Sequence, residues 1–238
     1  MIWRTLRRVV VVAGHAVYVG GDPWDDRSWA LKPRQAGEPP FFVHHILRAI
    51  EATAEDRLAG CIYSGGKTRE AAGPLSEGVG YWRIGQSVRW LGRPDVRDRT
   101  ATEDFAQDSF ENLLFGLCRF RELAGHFPEH VTVVSWRFKE ARFALHRDAI
   151  GWPESRWTYL GVNNPVELQD AISGERQTIE AFRLDPYGRT GTLAAKRHRR
   201  NPYHQRHSYS TTCPEVAALL SHDGPHYFDS SLPWNTVP

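Results

Sequence analysis

Apolar residues along this chain fall into two alternating kinds of stretch, short uninterrupted β-branched runs and longer segments with apolar positions three and four apart. "RRVVVVAGH" (7–15) is apolar without alternation, as a strand buried on both faces of a parallel sheet must be. After a Gly/Pro/Trp-rich loop, "PPFFVHHILRAIEATAED" (39–56) repeats Phe42, Ile46, Ala49, Ile50 and Thr53 at helical spacing. "RLAGCIYSGG" (57–66) predicts a second strand, and "PLSEGVGYWRIGQSV" (74–88) a helix weakened by its glycines. The segment 101–130 holds the longest amphipathic pattern, with Phe110, Leu113, Leu114, Leu117, Phe120 and Leu123 on one side and Gly125 as the stop. "HVTVVSWRF" (130–138) predicts a third strand, "KEARFALHRDAIG" (139–151) a helix and "RWTYLGV" (156–162) a fourth strand.

Strands alternating with helices at this spacing require right-handed crossovers. The expected fold for residues 1–184 is therefore α/β, a Rossmann-like three-layer sandwich with a mostly parallel sheet and helices on both faces. From residue 185 the chain turns polar, basic and rich in Gly and Pro, and only "PEVAALLS" (214–221) resembles a helix. Residues 185–238 hold too few apolar side chains for a core of their own, so they are expected to pack on the same domain as an irregular basic extension.

Composition narrows the classes. With 41% apolar residues and nine tryptophans in 238, the chain can bury a large core, and disorder is excluded as its dominant state. A formal charge of +2 is too mild to imply nucleic acid or membrane by itself. The run Val9–Ala13 is too short for a signal peptide, and no apolar stretch reaches the roughly 18 residues of a membrane span. Cys61, Cys118 and Cys213 lack metal spacing and read as reduced thiols of a cytoplasmic protein, with no metal site expected. "SGGKT" (64–68) suggests a P-loop, but the position where that pattern needs its first glycine is Cys61, so the register fails.

In an open parallel sheet, ligands bind beyond the carboxyl ends of the strands, where helix N-termini point free N–H groups. That rule selects Gly14 and His15 after the first strand, Ser64, Gly65, Gly66, Lys67 and Thr68 after the second, and Lys139 and Arg142 after the third. Glu103, Ser109, Glu111 and Asn112 would open the long helix, with Asp108 or Ser109 as its cap. Each has a plainer alternative: the glycines as turns, His15 as a structural histidine, Glu111 and Asn112 as complements to the helix dipole.

"VVVVAGH", "IYSGGKTR…SE", "EDFAQDSFENLLF" and "VVSWRFKEARF" resemble, in order and spacing, the motifs of the YdcF/SanA/ElyC-like family of domains of unknown function. The C-terminal "DPYG…KRHRRNPY…LPW" is similar to its larger eukaryotic branch, found especially in fungi. The resemblance implies a Rossmann-like fold, a charged cleft and enzymatic activity, with S-adenosylmethionine as a cofactor or substrate associated with one bacterial member. It marks Gly14, Ser64, Gly65, Gly66, Glu77, Glu103, Ser109, Glu111, Asn112 and Arg142. Two positions depart: fewer glycines after the first strand, and Lys139 where histidine is common. A lysine is a fixed cation unless its pKa is strongly depressed.

The leading expectation is an enzyme acting on a small anionic or nucleotide-like molecule, with backbone N–H groups around Ser64–Thr68 and cations at Lys67, Lys139 and Arg142. His15 with Glu103 or Glu111 would be the acid/base pair, and Glu77 would reach an amino group or a ribose. A non-catalytic module for an adenosyl ligand is a second reading. A third takes "KRHRRNPYHQRH" (196–207) as an RNA contact for a transferase using aminoacyl-tRNA; an internal strap binding the domain's own carboxylates is preferred.

Overall fold

The computed structural model describes residues 2–235. Its strands are β1 (Arg8–Ala13), β2 (Val17–Tyr18), β3 (Trp29–Ala30), β4 (Ala59–Ser64), β5 (Thr100–Glu103), β6 (His130–Ser135) and β7 (Trp157–Gly161). Five of them form one parallel sheet in the order β5-β4-β1-β6-β7, while β2 and β3 pair as a small antiparallel ribbon. The crossovers are α1 (Pro39–Glu55), α2 (Glu77–Ser87) with α3 (Pro94–Asp98), α4 (Ser109–Ala124) and α5 (Glu140–Ala149). The chain is a Rossmann-like three-layer α/β sandwich.

Central strand β1 explains the unbroken valine run. Val9, Val11 and Ala13 point into the core shared with α4, while Val10 and Val12 point into the core under α1 and α2. A strand with two buried faces has no polar side to show, so period two vanishes from its sequence.

One stretch read as the approach to the long helix is a strand instead. Residues 100–103, "TATE", form β5 against β4, with Ser64 opposite Glu103. Two β-branched threonines in four residues suit an edge strand too short to produce a periodic signal. Helix α4 starts only at Ser109, capped by Asp108, whose Oδ1 accepts from the Glu111 amide at 3.0 Å. It ends at Gly125 in the left-handed region, φ 84°. Helix α2 likewise starts later than the pattern suggested, because Ser76 caps it by accepting from Val79 N at 2.9 Å.

Beyond β7, the chain forms α6 (Leu168–Leu184), α7 (Gly191–Arg199), α8 (Tyr209–Thr212) and α9 (Ala217–Ser221). Helix α7 corrects the expectation that only 214–221 is helical in this region. Its basic last turn is stable because Arg197 is neutralised by buried carboxylates and because cations suit a helix C-terminus. Tyr187, Leu193, Tyr209, Val216, Leu219 and Trp234 belong to the same core as Val11 and α4. No helix among the described residues is long and apolar enough to cross a membrane.

Candidate functional site

Strand order reverses between β1 and β6, and the cleft lies beyond their carboxyl ends, where such a switch point opens a crevice. Its volume is about 400 Å³, in the range of small-molecule sites. The floor comes from Gly14, His15 and Ser135 at the strand ends. Helix α6 contributes Glu175, α7 and its C-cap contribute Lys196 and Arg200, and the segment before α1 contributes Lys32 and Glu38.

Of the residues selected from sequence, Gly14, His15, Glu77, Ser109, Asn112, Lys139 and Arg142 line this cleft. His15 Nδ1 lies 3.4 Å from Lys139 Nζ, and its Nε2 lies 3.5 Å from Ser135 Oγ. Burial, reinforced by Lys139, holds the imidazole pKa well below its usual value, so it is a neutral acceptor at physiological pH. Ser109 Oγ lies 2.8 Å from His146 Nε2, a buried imidazole whose pKa desolvation pushes down to about 3. Arg142 Nε faces Glu175 Oε1 at 3.0 Å, both side chains buried.

The others stand behind the cleft wall. Ser64 Oγ donates to Glu103 Oε2 at 2.6 Å, and Asn112 Nδ2 donates to the Ser64 carbonyl at 2.8 Å, tying β4, β5 and α4 together. Glu103, at the end of β5 and not on the long helix, also accepts from Phe105 N, Ala106 N and Tyr209 OH; burial still pushes its carboxyl up to about 8. Glu111 Oε2 accepts from Gln107 N at 2.8 Å, and its Oε1 faces Arg197 Nε at 3.4 Å. Lys67 is half-buried and does not border the cleft. The backbone cradle expected at 64–68 is closed. Gly65 N donates to Glu103 O, Gly66 N to Ala106 O and Thr68 N to Gly66 O, because β5 and the loop after it already occupy that space.

Glycine at 14 and 65 is explained by Glu77, the first residue of α2. A Cβ on Gly14 would stand 2.6 Å from Glu77 Oε2 and 3.1 Å from Ser64 O, and one on Gly65 2.7 Å from Glu77 Cβ. The two glycines let the Glu77 carboxylate, held by Thr68 Oγ1, reach the cleft edge. Gly14→Ala is expected to cost about 1–3 kcal/mol in urea unfolding, because backbone on one side and Glu77 on the other leave the methyl no exit. A loss below about 0.5 kcal/mol would show that α2 can back away.

Over 294 aligned residues the chain is 24% identical to the uncharacterized protein YOR238W of Saccharomyces cerevisiae, spanning 96% of this chain and 97% of that one. No family model and no solved structure matches.

Sequence reasoning missed the cleft residues Lys32, Lys196 and Arg200, which lie outside the strand-end loops. A signal for two of them was present. Only four of the thirty Lys and Arg residues are lysine, and three of those four, Lys32, Lys139 and Lys196, line this cleft. Burial and then Arg200 push the Lys196 amine down to about 7, and burial with Arg200 and Arg69 pushes Lys32 down to about 8. Lys139 is lowered strongly by burial and Arg142. Seven cations border the cleft, and among the described residues only Arg142 has a carboxylate within 4 Å. No group of three or more His, Cys, Asp or Glu among the described residues could hold a metal ion.

Proposed function

We propose that this protein is an enzyme that binds a small phosphorylated molecule in the cleft and transforms it by acid–base or group-transfer chemistry. The observation that carries the reading is the set of cleft cations without carboxylate partners, above all Lys32, Lys196 and Arg200. Like charges crowded in a desolvated space repel, and a polyanion relieves that repulsion. Arg200 Nε is buried without a hydrogen-bond partner, and its NH1 donates to Gln107 O at 2.8 Å. His15 beside Lys139 supplies the proton acceptor.

The four motifs resembling those of YdcF/SanA/ElyC-like domains, and the tail similar to their fungal branch, imply an enzymatic role, and the tail's fungal likeness accords with a yeast relative aligned over nearly the whole chain. S-adenosylmethionine suits this cleft less well, because its sulfonium would sit among cations. RNA is disfavoured because Lys196, Arg197 and Arg200, three of the five cations in 196–207, turn inward. Three free thiols, all buried, accord with a cytoplasmic setting.

Inorganic pyrophosphate is the test ligand. It is expected to raise Tm in a concentration-dependent way, and Lys196→Gln and Arg200→Gln are each expected to weaken it about tenfold, the effect of one charged hydrogen bond. The pH profile has a definite sign. Lys196 titrates near 7 and Lys32 near 8 in the folded protein against about 10.4 unfolded, so the unfolded chain binds more protons across this window. Stability of the free protein therefore rises with pH from about 7 to 10. Affinity for sulfate, whose charge is constant there, falls over the same interval as the amines discharge. A Tm indifferent to phosphate, pyrophosphate and adenine nucleotides alike would remove the proposal.

A further inference from the structure

Lys139 differs from every other cation of the cleft in what faces it. It occupies the N-cap position of α5, where the positive end of the helix dipole opposes an ammonium. Arg142 follows on the same helix, and α7 and its C-cap contribute Lys196 and Arg200. From β1 and α1 come the two neutral imidazoles His15 and His45. Two carboxylates act on it: Glu175 of α6, already engaged by Arg142 at 3.0 Å, and Glu38 just before α1, whose own carboxyl burial pushes up. No carboxylate lies within 4 Å of Lys139 Nζ among the described residues, and its polar neighbour is His15 Nδ1 at 3.4 Å. Desolvation beside other cations leaves a lysine amine uncharged and nucleophilic, which arginine cannot imitate. This chain otherwise writes its cations as arginine, at twenty-six of thirty positions.

We infer that Lys139 forms an imine with the carbonyl carbon of a phosphorylated aldehyde or ketone held in the cleft, with His15 as proton acceptor. The inference rests on the anion-binding reading above. The Nζ lone pair attacks the carbonyl carbon and the C=O π pair moves to oxygen. Nitrogen gives up a proton to His15, which passes it to the oxygen to give the carbinolamine. His15 then carries nitrogen's second proton to the departing hydroxyl, which leaves as water while the nitrogen lone pair forms the C=N bond. One water leaves for each C=N bond made, and no oxidant or reductant is needed.

Pyridoxal 5′-phosphate is the probe, followed by borohydride reduction and peptide mass mapping. The principal adduct is expected on Lys139, and pyrophosphate should protect it. Lys139→Arg, with its fold checked by circular dichroism, removes that adduct, and His15→Gln slows its formation about 100-fold. Reaction at Lys139 should fall much less steeply from pH 9 to 7 than at an ordinary lysine, which loses about 100-fold of its free amine over that interval. An adduct confined to Lys32, Lys67 or Lys196, with pyrophosphate still binding, overturns the inference and leaves the anion site standing. Equal labelling of Lys139 by pyridoxal, unprotected by pyrophosphate, keeps the amine chemistry and overturns the anion site. An unchanged rate in His15→Gln overturns the role of His15.

Discussion

Arg197→Met is expected to lose about 3–5 kcal/mol of unfolding free energy, among the largest effects of any single substitution in this chain. Arg197 Nε meets Asp108 Oδ2 at 2.6 Å and Glu111 Oε1 at 3.4 Å, with all three side chains at or below 10% exposure. Its guanidinium also lies over the Phe110 ring, 5.8 Å from the centroid. Methionine would fill much of the stem's volume, so packing loss is minor. What remains is two buried carboxylates facing each other without a cation. Although burial opposes ionisation, Arg197 holds Asp108 below the usual carboxylate range, and the coupled Glu111 is raised by burial. The depressed partner sets the pH signature. Stability from Asp108 is present in full above the unfolded pKa of about 3.9 and is lost as pH falls below it. In the variant the two unpaired buried carboxylates take up protons well above that pH, so its deficit should be largest near neutrality and shrink toward pH 4. Because α7 and its C-cap also carry Lys196 and Arg200, pyrophosphate should no longer stabilise the variant. Urea midpoints at pH 4.5 and 7, with and without pyrophosphate, measure both claims, and a deficit below about 1 kcal/mol at pH 7 would mean that the clamp is solvated.

How much of this was readable from sequence depended on whether a residue's partner was local. The strands β1, β4, β6 and β7 announced themselves because continuous or alternating burial leaves a mark on every residue of a run. Four-residue β5 left none, and its loss misplaced Glu103 onto a helix. Strand-end loops drew attention to Gly14, His15, Lys139 and Arg142, which line the cleft, since the switch-point rule converts chain position into space. The rule could not tell which side of a loop faces the cleft. Ser64 to Thr68 turn toward β5 and α4, a choice made by hydrogen bonds to residues roughly forty positions away. Nor could it anticipate that α7 and its C-cap, from the polar tail, return to supply two of the cleft's cations. Lys196 and Arg200 lie some sixty residues beyond Lys139, and only the tertiary ion pair of Arg197 with Asp108 fixes that approach. The lysine count was the one clue independent of distance. It reports a chemical choice, an amine that can lose its proton, at positions where a fixed charge would otherwise be arginine.

Trp234→Ala is expected to lose a further about 3–5 kcal/mol in its own right, as large-to-small changes at fully buried aromatics do. Trp234 is 1% exposed; its Nε1 donates to Ile150 O at 2.8 Å, and its ring packs on Trp152 and Phe127 at centroid distances of 5.2 and 5.4 Å. The substitution removes the ring and leaves the Ile150 carbonyl without its donor in a buried place. Trp234→Phe keeps much of the packing and should lose only about 1–2 kcal/mol. Since the extension shares its core with β1 and α4, a single cooperative transition is expected, followed identically by circular dichroism and fluorescence. A transition of the α/β body unmoved by Trp234→Ala would instead make the extension a separable layer. The two substitutions also part company in function. Ile150 follows the C-terminal end of α5, while Lys139 and Arg142 stand at its start, a separation of about 15 Å along the helix. At temperatures where both variants remain folded, Trp234→Ala should keep pyrophosphate affinity within about twofold, as distant sites act independently, whereas Arg197→Met should not.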